Sequence, residues 1–217
     1  MNAIPHILSP LSAAWSGWTM LGLLLCAVLS EVMQPGVIMQ AGSSLLTRAE
    51  RTYKDAPTNF FGQLLITLFR IGTLAMGLYL CLYRGGNAPY WVFAAISGLI
   101  LAMLLLKMLC NVLLDYTFQL SRLYAPAYEQ YGNLLTLTMV VLYPCLLFLL
   151  RVGSIVAARW TVGLLLVAFG LLWFVRCIRI FASSLVAIGY ILLYFLTLEV
   201  LPMAGLFLLT QKILFTL

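Results

Sequence analysis

Charge is scarce in this chain. Only 8% of its 217 residues are Asp, Glu, Lys or Arg, and only six are acidic. Six acids supply almost no material for the paired carboxylates of hydrolytic or two-metal sites. A single histidine, His6, sits in the N-terminal stretch, which excludes bis-histidine haem and argues against a histidine metal triad or Ser-His-Asp catalysis. The five cysteines, Cys26, Cys81, Cys110, Cys145 and Cys177, are scattered over different apolar segments. None has the close spacing of a zinc or redox motif, and an odd count does not complete a disulfide framework. They read as small buried hydrophobes. There is no phosphate-binding Gly-Lys-Ser/Thr loop, no internal repeat and no low-complexity tract. No cofactor and no metal are expected.

What the chain has instead is grease. Apolar residues make up 64% of it, in long runs recurring from Ala13 to Phe215. One soluble core could not hide that much apolar surface, so the solvent is a bilayer. The length leaves room for one helical bundle and no separate soluble domain. The expected fold is therefore all-α: one transmembrane domain over residues 1–217, with spans near 13–33, 59–83, 90–113, 133–151, 157–176 and 181–202. No Lys or Arg precedes Ala13, so the basic n-region of a signal peptide is missing and Trp15 to Met33 is expected to be a retained first span.

The longest polar interval, residues 34–58, follows the first span. Pro35-Gly36 stops the helix, and Ser43-Ser44 can cap a short new one. Leu45, Leu46 and Ala49 would lie on one side, with Arg48, Arg51 and Lys54 spread over the other. Either an amphipathic helix in the interface or an ordinary charged loop fits that pattern. Arg84 to Pro89 composes a tight turn, Tyr90 and Trp91 suit an interfacial anchor, and Ala125-Pro126 is expected to interrupt the connection before the fourth span.

The formal net charge of +6 is dispersed between the apolar segments, with no basic stripe interleaved with aromatics, so nucleic acid is not an expected partner. Loop cations that set orientation or meet anionic headgroups explain it more simply. Arg48, Arg51, Lys54, Arg122, Arg176 and Arg179, with Lys107 close by, fall after spans one, three and five. Arg84, Arg151, Arg159 and Lys212 fall on the other side. The bias places the first group in the cytoplasm and both termini outside.

Arg70, Lys107, Asp115 and Glu199 fall in or near spans, where ionisable groups are costly and suggest function. A central arginine costs about 2.5–3.5 kcal/mol on insertion scales, against about 0.3–0.6 returned by each strong apolar residue. Arg70 is thus compatible with a span, provided it has a partner or a water path. Asn59, Gln63, Thr67, Arg70, Thr73 and Gly77 recur at steps of three and four, one stripe that should face the bundle interior. It could wall a polar cavity or hydrogen-bond helices together. Lys107, Asn111 and Asp115 step by four, with Gln119 extending the face, and could line a pathway; alternatively the lysine snorkels while the helix continues into water as an amphipathic extension.

The last segment carries Tyr194, Thr197, Glu199 and Pro202. A straight helix from Phe181 to Leu217 would run roughly 55 Å against a core near 30 Å, so the chain is expected to break at Pro202, between Leu198 and Met203. Residues 203–217 would then form a half-span or lie along the interface. Pro202 frees the carbonyl of Leu198 next to the carboxyl of Glu199, and Arg70 is the best mid-membrane cation to meet that carboxyl, with Lys107 second.

The run from Arg176 and Arg179 through Phe181 to Tyr194, Thr197, Glu199 and Pro202, with its Tyr-x4-Glu-x2-Pro spacing, resembles the C-terminal signature of a Bacteroidota family of uncharacterised multi-pass inner-membrane proteins, a domain of unknown function. The resemblance implies a Gram-negative inner (cytoplasmic) membrane and no activity.

Three functions follow. The first is a non-enzymatic accessory, assembly or scaffold subunit of a membrane complex, with membrane lipids and a membrane protein as partners; Gly62, Gly72 and Gly77 suit close helix packing in such a protein. The second is a small proton-coupled transporter using Glu199 and Arg70. The third is a lipid-binding or lipid-acting protein that uses Arg176, Arg179 and the Arg48, Arg51 and Lys54 cluster on headgroups.

Overall fold

The computed structural model describes residues 14–46, 59–82, 90–118, 121–152, 155–181, 204–205 and 208–212. Six helices follow in order: α1 (Ala14–Met33), α2 (Val37–Leu46), α3 (Phe60–Leu82), α4 (Tyr90–Phe118), α5 (Ser121–Val152) and α6 (Ile155–Phe181). All but α2 are long and apolar enough to cross a bilayer, over Trp15–Met33, Phe60–Cys81, Tyr90–Cys110, Gln130–Arg151 and Val156–Ile178. The expected 181–202 span, its break at Pro202, and all of 203–217 except two short helical pieces lie outside the described residues.

Helix α3 is the hub. It touches α1, α4, α5 and α6. Buried positions make up 61% of its span, against 22% for α4 and for α6. Its start is set by Asn59, whose Oδ1 accepts from the Phe61 amide at 3.3 Å, an N-cap geometry. Its end is held by a later helix. Arg159 Nε donates to the Cys81 carbonyl at 2.8 Å, satisfying one of the last carbonyls with a cation at the negative end of the helix dipole.

Close approach to α1 explains two of the α3 glycines. A Cβ at Gly72 would collide with Leu23 Cδ2, and one at Gly62 would lie 3.2 Å from Gln34 Cβ. Gly77 looks the other way, toward Leu142 of α5 and Val162 of α6 at ordinary contact. The opposite end of α1 is fastened by rings: Trp15 lies 5.5 Å from Tyr79, 5.6 Å from Tyr90 and 5.9 Å from Phe93, centroid to centroid. Midway, the Tyr143 hydroxyl donates to the Met20 carbonyl at 2.8 Å.

Several local expectations are corrected. Ser43-Ser44 does not cap a new helix; both lie within α2. The start of α2 follows Gly36, whose φ of 89° belongs to the left-handed region that favours glycine. Glu31 supplies the acceptors there: its two carboxylate oxygens accept from the Gly36 amide at 2.6 Å and the Ile38 amide at 3.0 Å. Orphan amides at a helix N-terminus bind an anion well, and a carboxylate one turn back was a better donor sink than a serine downstream. Val37 and Ala41 are buried where α2 rests on α5.

Ala125-Pro126 does not interrupt the chain either. The fourth span belongs to a helix that begins at Ser121 and runs through Pro126. A proline there frees only the carbonyl of Arg122, in the first turn, where the loss of a backbone bond is cheapest. Pro144 also lies inside α5 and frees the Val140 carbonyl, a loss that membrane helices tolerate when neighbours are close. Helix α4 runs on past its apolar span to Phe118, the continuation that the snorkelling reading of Lys107 implies, and Asp115 lies on that extension.

Candidate functional site: cations around Gln130 to Thr136 of α5

The polar stripe of α3 meets its neighbours at successive levels. Gln63 Nε2 donates to Gln34 Oε1 at 3.0 Å, joining α3 to the end of α1. The Thr67 hydroxyl turns back to its own helix, donating to the Gln63 carbonyl at 2.7 Å. Arg70 reaches across: its Nε donates to Thr136 Oγ1 at 2.8 Å, and Thr136 in turn donates to the Gly132 carbonyl at 2.8 Å. A Cβ on Gly132 would sit 3.7 Å from Nη1 and 3.9 Å from Nη2 of Arg70. The guanidinium therefore lies against the bare backbone of α5, a full turn nearer the bundle end than Thr136. That is how a long cationic side chain rooted in a span brings its charge toward water. Thr73, one turn further along α3, is fully buried, and its hydroxyl has no hydrogen-bond partner among the described residues.

Two more cations arrive at the same stretch of α5. Lys107 of α4 holds its Nζ 3.5 Å from the centroid of the Tyr131 ring, within cation–π range. Tyr131 is itself edge-on to Trp173 at 5.0 Å and Phe169 at 5.7 Å on α6. Arg176, one turn beyond Trp173 on α6, donates from Nη1 to Gln130 Oε1 at 3.3 Å. Cations from three different helices thus contact α5 between Gln130 and Thr136, a rise of about 9 Å. Such a set can position and stabilise negative charge near the membrane surface.

Of the residues singled out in the sequence, Arg70, Lys107 and Arg176 are brought to one segment of one helix. Asn111 and Asp115 lie on α4 and Arg179 in the last turn of α6, their side chains outside the described residues. Glu199, Tyr194, Thr197 and Pro202 lie outside them altogether, as do Arg48, Arg51 and Lys54, so the expected approach of Glu199 to Arg70 also lies outside the described residues. Among the described residues no group of His, Cys, Asp and Glu could hold a metal ion. Sequence reasoning missed Gln130, Tyr131, Gly132 and Thr136, the α5 residues that receive the cations. The one signal for them was a glycine followed four residues later by a threonine at the start of an apolar run, the spacing that opens one helix face to a neighbour's side chain.

Five helices long and apolar enough to span a bilayer, four of them touching the central α3, with apolar faces outward in contact with membrane lipids, define a multi-span α-helical membrane protein. The chain belongs to the family described as a domain of unknown function, DUF4271, whose model matches residues 17–209. No curated protein and no solved structure matches it.

Proposed function

We propose that this chain is a non-enzymatic accessory or scaffold subunit of a complex in a bacterial inner membrane, with the end that carries Lys107 and Arg176 facing the cytoplasm. The observation that carries this reading is where the polar atoms of the spans end. Arg70 binds Thr136, Arg159 binds the Cys81 carbonyl, Gln63 binds Gln34 and Tyr143 binds the Met20 carbonyl. Each contact joins one helix of the bundle to another, which suits a rigid platform more than a moving or reacting site. The cytoplasmic assignment is supported by the excess of Lys and Arg at that end, and the inner membrane by the C-terminal resemblance.

Helix α4 offers the partner a face. It packs chiefly on α3 and turns Leu101, Leu105 and Leu109 outward. A photo-crosslinking amino acid at Leu105 or Leu109, activated in native membranes, should give one discrete protein adduct. Adducts to lipid alone would sink the reading.

A second reading, a small proton-coupled carrier using Glu199 and Arg70, has one observation in its favour. The buried Thr73 hydroxyl and the Thr136 hydroxyl flank Arg70 along the interior, the start of a polar path through the spans. Glu199→Gln should then abolish proton-coupled uptake in proteoliposomes while leaving the fold intact. Uptake unchanged by that substitution would rule the carrier out.

A further inference from the structure

We infer that the groove between α1 and α5 holds one acyl chain of an ethanolamine phospholipid, whose ammonium meets Glu31. The groove has a volume of about 390 Å³ and opens outward, within the size range of small-molecule pockets. Ala27 of α1 and Phe69 of α3, both buried, floor it, and the exposed Leu24, Val28 and Val32 form its α1 rim. Val140 and Tyr143 of α5 line the other side, and Ile38 of α2 stands at the end beside Glu31.

Depth and length select an acyl chain. Leu24 is the midpoint of the Trp15–Met33 span, and Val140 stands at the middle of the Gln130–Arg151 span. From that level the groove follows α1 to Val32, a rise of about 12 Å, and so runs through one leaflet of a core about 30 Å thick. Its midplane end is fixed. The Tyr143 hydroxyl donates to the Met20 carbonyl at 2.8 Å, and the Tyr143 ring lies 5.8 Å from that of Phe69. An apolar groove at this depth gains contacts only from an apolar chain, and a spanning partner helix would need a face that continues through both leaflets. Charge selects the headgroup. The two carboxylate oxygens of Glu31 each accept one backbone amide, from Gly36 and Ile38, and a carboxylate keeps further lone pairs for another donor. Its charge attracts an ammonium and opposes a headgroup of net negative charge. Ethanolamine supplies N–H donors, which choline lacks. The inference does not rest on the accessory-subunit reading.

Native mass spectrometry of the full chain, delipidated in a neutral detergent and offered phosphatidylethanolamine, phosphatidylglycerol or phosphatidylcholine, tests this. The chain should retain one phosphatidylethanolamine in preference to the other two. Val140→Trp fills the groove and should abolish that retention. Val28→Trp, on the exposed rim, repeats the test with less disturbance of the packing, and thermal unfolding in the same detergent shows that each variant is folded. Val167→Trp, on the exposed face of α6, should leave retention unchanged. Glu31→Gln keeps an oxygen for the α2 amides and should cut the preference over phosphatidylglycerol about threefold, the size of an exposed ion pair. Equal retention by the parent chain and both groove variants overturns the site. Retention lost in those variants but without headgroup preference in the parent overturns the ethanolamine assignment. A photo-crosslinker at Val28 that captures protein instead of lipid in native membranes would give the groove to a partner and overturn the inference as well.

Discussion

Arg70 and Thr136 share a hydrogen bond of 2.8 Å, Nε to Oγ1, that ties the central helix to α5 across 66 residues of sequence. In it a charged side chain rooted within one span ends on a hydroxyl of another. Interhelical hydrogen bonds in membranes average about 0.6 kcal/mol and reach about 1.7. A double-mutant cycle with Arg70→Gln and Thr136→Val should give a coupling in that range. The measurement is unfolding in mixed micelles, and purely additive losses would show the bond to be idle.

Helix contact at Gly72 sets a second expectation. Gly72→Ala should lower Tm, because its Cβ would run into Leu23 Cδ2, and adding Leu23→Ala should recover part of the loss. The control is Gly98→Ala on α4, which meets nothing within 4 Å. There the gain in helix propensity should stabilise by up to about 1 kcal/mol. Thermal denaturation of the three variants separates steric from propensity effects.

Glu31 should hold the start of α2. Hydrogen bonds from backbone amides to a charged acceptor contribute about 1.5–3 kcal/mol. Glu31→Ala should therefore speed exchange of the Gly36 and Ile38 amides by about tenfold or more, read by hydrogen–deuterium exchange. Protection equal to that of the parent chain would show that another group caps the helix.

Arg159 should stabilise the far end of α3. Arg159→Gln removes the cation from the Cys81 carbonyl, and a helix C-terminal cation contributes about 0.3–1 kcal/mol when exposed. Arg159 is exposed, so the loss in unfolding experiments should fall in that range and shrink as salt is raised.

Orientation can be read directly. Fluorescent-protein fusions ending after Arg122 should fluoresce, and alkaline-phosphatase fusions ending after Asn87 or Gly153 should be active. The reverse pattern would place Lys107 and Arg176 outside the cytoplasm.

Much of the architecture was legible because each span is a long apolar run bounded by turn residues. The spans at 13–33, 59–83 and 90–113 have starts within a residue of α1, α3 and α4. Helix ends were legible only where the apolar run and the helix stop together. Helices α4 and α5 continue past their apolar parts into polar sequence, and hydropathy is blind to that. The stripe on α3 was readable as a face because helical spacing is a property of one chain segment. Which residue that face meets was not, since Thr136 and Gly132 announce no partner on their own. Lys107 looked like a snorkelling residue from sequence; the ring beneath it belongs to a helix that sequence alone could not bring alongside. Glu31 went unnoticed for a similar reason, because its ligands are backbone amides and leave no side-chain signature.

The central position of α3 has a consequence for how the protein is made. Arg70 leaves the ribosome 66 residues before the Thr136 that receives it. At about 5–20 residues per second of synthesis, that is an interval of roughly 3–13 seconds. During it α3 has α1 behind it, fitted to Gly62 and Gly72 by Gln34 and Leu23, and α4 after it. Arg70 therefore waits for its Thr136 acceptor until α5 is made. The joint between α3 and α5 is thus closed late in synthesis, after α1, α3 and α4 have left the ribosome.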